Sequence, residues 1–353
     1  MKVLVLGGTG AMGVHLVQLL IDNGIETVVT SRKFRHSEGK IKYIQGNAHD
    51  IQFLKTVLDE CHWDTIVDFM IYKTSGFKER VNLLLSAASQ YVFLSSARVY
   101  TDSEHPITES SPRLLDVSKD KEFLSTDEYS LAKAQQEDIL RDSGHDNWTI
   151  IRPYITYSEN RLQLGVLEKE GWLYRALHGR TIVFSSDIAT KKTTLTYALD
   201  VSKRIMSIIN SRSALGEAYN VTTSESKTWY EILDIYLAVL NEYLGYYPKV
   251  LLADLDMFLG CNLSKYQVIY DRLYNRQFDN SKIKQYANEQ NLIKVDEGLK
   301  DCIGQFLKEV KFNNINWKSE ALKDRLAKEH TPLKEIKGCK QKIKYVIFRY
   351  LKN

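Results

Sequence analysis

Only five prolines and four cysteines occur in the 353 residues of this chain. So little proline leaves no rigid linker between independent modules. Cys61, Cys261, Cys302 and Cys339 lie far apart and form no C-x-x-C pair, so neither a disulfide framework nor a thiolate metal site is expected. The eight histidines are equally scattered and none stands as H-x-x-x-H, which removes the other common metal pattern. No uninterrupted apolar run is long enough to span a bilayer. The opening MKVLVLGGTGAMGVHLVQLL begins like a secretion signal, but glycines split its apolar run and no small-residue cleavage site follows. A soluble protein of the reducing cytoplasm is the expectation. An excess of one charge is lacking as well: the formal net charge is +4, which gives no mandate for nucleic acid.

What is present is an apolar content of 44%, enough for a substantial core. The first half alternates short β-rich runs with helical patterns. KVLVL, ETVVTS, IKYIQ, DTIVDFM, YVFLSS and WTIIRP read as strands. AMGVHLVQLLIDNG, DIQFLKTVLDE, FKERVNLLLSAAS and 128–141 read as helices between them. Such alternation predicts an α/β, Rossmann-like, doubly wound parallel sheet, and strands apolar throughout predict a sheet covered on both faces. The expected organisation is a doubly wound domain over 1–155, to which 190–222 partly returns, and a smaller α/β lobe over 156–316. A basic, amphipathic helical tail over 317–353 completes it. From Lys334 onward seven basic residues face one acid, Glu335.

The segment VLVLGGTGAMG follows the first strand and opens the first helix, with glycines at Gly7, Gly10 and Gly13. A dinucleotide needs glycine there for a tight turn, for approach of the pyrophosphate to the backbone, and for close helix–strand packing. The helix N-terminus then offers free N–H groups and a positive dipole to the phosphates. At the end of the second strand an acid would hold the ribose hydroxyls of NAD. Ser31 stands there instead, followed by Arg32 and Lys33. A hydroxyl and cations suit a 2′-phosphate where a carboxylate would repel it, so NADP is favoured, with NAD as the alternative.

In DEYSLAKAQ, Tyr129 precedes Lys133 by one helical turn, which stacks both side chains on one face. A tyrosine hydroxyl titrates near 10 and must drop by roughly three units, about 4 kcal/mol, to act as a base near neutrality. One positive charge roughly 4 Å away supplies about that much at an effective dielectric near 20. GGTGAMG, YVFLSSARVY, EYSLAK and IIRPYITY, in that order, make the chain resemble the extended short-chain dehydrogenase/reductase family over roughly Met1 to Leu240. TTLTYALDVSKRI and GEAYNVTTSES extend the resemblance.

The resemblance implies catalysis by Ser96, Tyr129 and Lys133, with hydride carried by the cofactor. It implies cofactor contacts from Gly7, Thr9, Gly10, Ala11, Met12 and Gly13, from Ser31, Arg32, Lys33 and Asn47, from Met70, and from Pro153 and Tyr154 beside the nicotinamide. Substrate contacts are expected from Arg98, Tyr157, Arg161 and Arg276, with packing as the competing role for Tyr157 and a solvated or ion-paired role for Arg161 and Arg276. No metal is expected.

Extended members often act on nucleotide-activated sugars in polysaccharide assembly, which makes a nucleotide sugar or keto-sugar the expected substrate. The Thr-Asp-Glu set of the 4,6-dehydratases belongs after the serine-bearing strand; here TDE lies at 126–128, just before Tyr129, which disfavours dehydration. Ala97 stands where double epimerases carry a cysteine base. A 4-epimerase and a single-step NADPH ketoreductase remain. Ile155 replaces an asparagine common near the substrate diphosphate, which weakens the sugar-nucleotide expectation. Helices of the first half often build dimers in the family, so a homodimer is expected. Atypical relatives bind RNA and commonly lose the Tyr–Lys pair, which this chain keeps; no nucleic acid partner is expected. The basic tail suits either an anionic membrane surface or packing on the body of the protein.

Overall fold

The first strand shows how the sheet is covered. In a computed structural model, which describes residues 1–261, 264–287 and 292–351, β1 (Lys2–Leu6) sends Leu4 and Leu6 into one buried cluster and Val3 and Val5 into another. Successive strand side chains point to opposite faces, so an all-apolar strand is stable only between two covering layers. The same division runs through β2 (Glu26–Ser31), β4 (Trp63–Asp68), β5 (Ala88–Leu94) and β6 (Trp148–Pro153): Val28, Ile66, Phe93 and Ile150 join Leu4, while Val29, Val67, Val92 and Ile151 join Val3. β3 (Ile41–Gln45) closes one edge and the strand Glu217–Val221 the other.

All seven strands run parallel, in the order Glu217–Val221, β6, β5, β4, β1, β2, β3. The chain therefore leaves β1 toward β2 on one side and returns to β4 on the other. That reversal opens the crevice at the strands' carboxyl ends where such sheets bind ligands. Gly7, after β1, and Asp68, ending β4, stand at its two lips.

The helix α1 (Gly13–Asp22) buries Leu16, Val17 and Leu20 and ends where Gly24 takes a left-handed φ of 73°. The run FKERVNLLLSAAS, expected as one helix, is two: Thr74–Lys78 and Val81–Ser86. Arg80 stands at the break, and its buried guanidinium turns back to the carbonyls of Gly76, Ala48 and His49. Across KTTLTYALDVSKRI the chain forms the short strands Lys192–Thr193 and Leu195–Tyr197 and then a helix starting at Ala198.

Two compact units result. The first comprises Met1–Thr156, Thr194–Glu225 and Gln277–Ile293. Its last segment is held by Ile283, which joins the Val3 cluster, and by the Tyr286 hydroxyl, 3.2 Å from that of Tyr219. The second comprises Tyr157–Thr193, Ser226–Arg276 and Lys294–Asn353. There Ile182–Ser185 pairs in parallel with Val250–Ala253. Its long helix Trp229–Leu244 starts at a capping box of Thr228 and Glu231 and stops at Gly245, φ 78°. Among the described residues no helix is long and apolar enough to cross a membrane.

Candidate active site

The turn after β1 is built for close approach. Gly7 has φ 72°, a conformation that costs a side-chain-bearing residue strain. A Cβ on Gly13 would lie 2.6 Å from the Cα of Gly8, so the helix meets the turn there only because the side chain is missing. A Cβ on Gly10 would meet nothing nearer than the Gly7 oxygen at 3.8 Å, so its surface is open. Met12, at the N-cap of α1, makes no side-chain bond to the first turn, so no side chain competes there with an anion, though the Val14 N–H already donates to the Gly10 carbonyl at 3.1 Å. Thr9, Ala11 and Met12 are half-buried around this loop and Gly10 is exposed. The cradle fits a dinucleotide pyrophosphate, and these residues can hold one.

At the end of β2 the Ser31 hydroxyl is buried and donates to the Lys33 carbonyl at 2.8 Å, which fixes the turn. Arg32, Lys33 and Asn47 are exposed beyond it. Burial, with the Arg80 and Arg32 guanidiniums, holds the His49 imidazole below its ordinary range. Met70 follows β4, with its Sδ only 3.1 Å from where a Gly7 Cβ would stand. Pro153 ends β6 and Tyr154 follows it; both are buried, Tyr154 against the ring of Phe278.

The helix Tyr129–Arg141 lies against the carboxyl ends of β5 and β6. Glu128 caps it by accepting from the Ser130 N–H at 2.7 Å, and pairs with Arg98 at 2.6 Å. The Arg98 guanidinium stands 5.1 Å from the centre of the Tyr129 ring. Asp127 accepts from the Thr74 hydroxyl at 2.6 Å, so the TDE triplet serves the helix entry. Ser96 accepts from the Arg98 N–H at 3.2 Å and starts the short turn after β5.

One turn into the helix, Lys133 is 2% exposed. Its ammonium donates to the Leu94 carbonyl at 2.7 Å and stands 4.5 Å from the Phe93 ring centre. Burial pulls it down to about 8, against the carboxylates of Asp68 and Glu137, which favour the charged form. Tyr129, Lys133, Ala132, Asp127 and Tyr72 line a cavity of ≈ 230 Å³.

Two supporting carboxylates escaped the sequence reading. Asp68 is fully buried and accepts from the Tyr91 hydroxyl at 2.8 Å, the Tyr72 hydroxyl at 3.1 Å and the Met70 N–H at 2.9 Å. Its carboxyl is raised, burial outweighing those bonds. The available signal was an acid directly after the apolar pair Ile66–Val67 at the end of β4. Glu137, one turn beyond Lys133, takes a two-pronged pair from Arg152 at 2.8 and 2.6 Å and the Ser95 hydroxyl at 2.5 Å. Burial raises the Glu137 carboxyl, but Arg152 and Ser95 outweigh it and hold the carboxyl below its ordinary range.

The second unit treats its expected substrate residues differently. Arg276 is wholly buried and its guanidinium pairs with Asp271 at 3.0 Å and the Tyr270 carbonyl at 3.3 Å. Arg272 pairs with the same Asp271 carboxylate, so Arg276, expected to contact substrate, sits in a buried cluster of two guanidiniums on one acid. Tyr157 is 1% exposed and so close to Gly298 that no Cβ fits between them, which makes it packing rather than a contact surface. Arg161 is half-buried and reaches Glu168 at 3.7 Å.

The chain is 25% identical over 250 residues to the chloroplast stem-loop binding protein of 41 kDa b of Arabidopsis thaliana, across 65% of this chain. It spans about 60% of the length of that relative. The Bordetella bronchiseptica enzyme WbmH, solved in complex with NAD+, superimposes with a TM-score of 0.66 at 15% identity, covering 87% of this chain and 99% of that one. UDP-glucuronic acid 4-epimerase from Bacillus cereus, solved with UDP-glucuronic acid and NAD, gives 0.63 at 17% identity, covering 87% and 100%. At these identities the structures share the fold. A model of the NAD dependent epimerase/dehydratase family matches residues 3–222, more than half of the chain, and the chain belongs to that family.

Proposed function

We propose that this protein carries out NAD(P)-dependent chemistry on a nucleotide-activated sugar, with Tyr129 as acid and base, Lys133 as its electrostatic partner and Ser96 orienting the reacting oxygen. The observation that carries the reading is that Tyr129 and Lys133, one helical turn apart, line one cavity, with the Lys133 side chain buried behind it. At pH 7, below about 8, Lys133 is mostly charged. A cation held there by Leu94 favours the tyrosinate and so lowers the cost of taking a substrate proton. The Ser96 oxygen already accepts from Arg98, which leaves its own hydrogen to donate to a substrate hydroxyl or carbonyl. When bound, the nicotinamide supplies the hydride transfer.

Ser31, Arg32 and Lys33 support NADP over NAD, since none carries the negative charge that would repel a 2′-phosphate. NADP in turn favours net reduction of a keto-sugar over epimerisation, which recycles its cofactor. Arg161, in the second unit, is the candidate for the substrate's diphosphate, and that unit is the candidate substrate lobe. A second reading, RNA binding on the same fold, takes its support from an Arabidopsis relative named for stem-loop binding; the retained Tyr129 and Lys133 speak for the enzyme.

Absorbance near 340 nm, followed across a panel of nucleotide sugars and nucleotide keto-sugars with NADPH or NADH, tests the reading. Consumption of NADPH in preference to NADH supports the reductase. Sugar interconversion without consumption supports the epimerase. Turnover of none of them, together with salt-sensitive RNA binding, overturns the enzyme.

A further inference from the structure

The last helices of the second unit have an inner and an outer face of opposite character. Trp317–Leu326 is an interior helix: Trp317, Ala321 and Asp324 are buried in it. The following segment, Cys339–Val346 continuing as Ile347–Leu351, packs on it through Tyr345, whose hydroxyl donates to Asp324 at 2.6 Å. Arg325 and Arg349 tie the two together through the carbonyls of Phe348 and Glu329. The segment is thus anchored and oriented, with Tyr345, Val346 and Phe348 turned to the body.

Its other face is apolar and exposed. Ile343, Tyr350 and Leu351 are 61%, 59% and 74% exposed, and half-buried Ile347 lies between them at helical spacing. Lys337, Lys340 and Lys344, all exposed, stand along the same segment. The lone acid of the region, Glu335, does not offset them at the surface, because Arg180 holds its carboxylate at 3.0 Å with the Tyr174 hydroxyl on the same oxygen.

We infer that this face binds the surface of an anionic lipid bilayer. Aliphatic side chains among lysines match an interface whose headgroups are negative and whose acyl boundary is apolar. Duplex nucleic acid would use the lysines but offers nothing to Ile343 and Leu351. A second copy of the same face would bring two sets of lysines together and is opposed by their repulsion. The inference stands independently of the Tyr129–Lys133 chemistry.

The test is co-sedimentation of the full chain with vesicles of phosphatidylcholine alone or with about 30% phosphatidylglycerol, at about 0.1 M salt. Binding to the anionic vesicles should exceed that to the neutral ones by about tenfold or more. Ile343→Glu with Leu351→Glu should lower it by about tenfold or more, as should Lys340→Glu with Lys344→Glu, each lysine lost counting for roughly fivefold. All four positions are exposed, so thermal unfolding of both variants should match the parent. Failure to bind anionic vesicles overturns the inference. So does binding that ignores Ile343 and Leu351, which is attraction of a polycation alone, and so does tighter binding to duplex RNA that the apolar pair does not affect.

Discussion

The ammonium of Lys133 donates to the carbonyl of Leu94 at 2.7 Å, two residues before Ser96. This bond joins the helix that carries Tyr129 to the end of β5, just before the turn that Ser96 starts, so one buried ammonium links the two segments. Around it, Asp68 and Glu137 sustain the charge that burial opposes.

A titration follows from that balance. Lys133 is pulled down to about 8 by burial. Below that value it is charged and supports Tyr129; above it the charge is lost. In a pH profile, kcat/KM should fall on the alkaline side with a midpoint near 8, and Lys133→Met should lose ~100-fold or more of the plateau rate. Stability should move the opposite way. Between about 8 and the ordinary 10.5 the unfolded chain holds a proton that the folded chain has released, so this group makes stability rise with pH across that window. A rate that stays flat to pH 10 would remove Lys133 from the mechanism.

Tyr129→Phe keeps the ring beneath Arg98 and removes only the hydroxyl. Turnover should drop by ~10²–10⁴, the range of a lost acid–base group, while cofactor affinity measured by fluorescence titration changes by no more than about twofold. Preserved turnover would assign the proton transfer elsewhere.

The glycine loop permits a comparison of two substitutions. Gly10→Ala meets nothing closer than 3.8 Å and should leave thermal unfolding unchanged while weakening cofactor binding, because the new methyl occupies the open face. Gly13→Ala drives a methyl to 2.6 Å from the Gly8 backbone and should lower both the unfolding temperature and cofactor affinity. Cofactor titration alongside thermal melts separates the two; equal affinity for Gly10→Ala and the parent would mean that the phosphates lie elsewhere.

Glu137→Gln removes the counterion of a buried arginine. Arg152 is 1% exposed, and its remaining partners among the described residues, the Tyr100 hydroxyl and the Glu109 carbonyl, are neutral, as is the amide that replaces the Glu137 carboxylate. Stranding its charge should cost ~3–5 kcal/mol in urea unfolding. The double change Glu137→Leu with Arg152→Met should cost less than Glu137→Gln alone, since it removes both charges. A larger loss in the double variant would show that packing, not charge, dominates there.

Much of the molecule was legible from local pattern. The runs KVLVL, DTIVDFM, YVFLSS and WTIIRP are short, apolar and separated by helical periodicity, so a parallel sheet covered on both faces followed from composition and order. Gly7, Gly10 and Gly13 could be read because their spacing is a local requirement of the turn. Tyr129 and Lys133 share a helix face for the same reason: four residues is one turn.

What escaped depends on burial and on partners distant in sequence. Asp68 meets Tyr91, Glu137 meets Arg152, and Arg276 meets Asp271 inside the second unit. A lone acid or arginine reads as solvated or substrate-binding until the fold shows what stands opposite. Arg80 splits a helix whose periodicity was unbroken, because carbonyls of Ala48 and His49, far away in sequence, claim its guanidinium. The basic segment after Lys334 likewise gave amphipathic spacing but not which side turns inward; the bond from Tyr345 to Asp324 decided that. The sequence determined the periodicities, and hence the elements and the cofactor turn. Only the tertiary structure determined which charges are paired, since desolvation and Coulomb attraction act through space rather than along the chain.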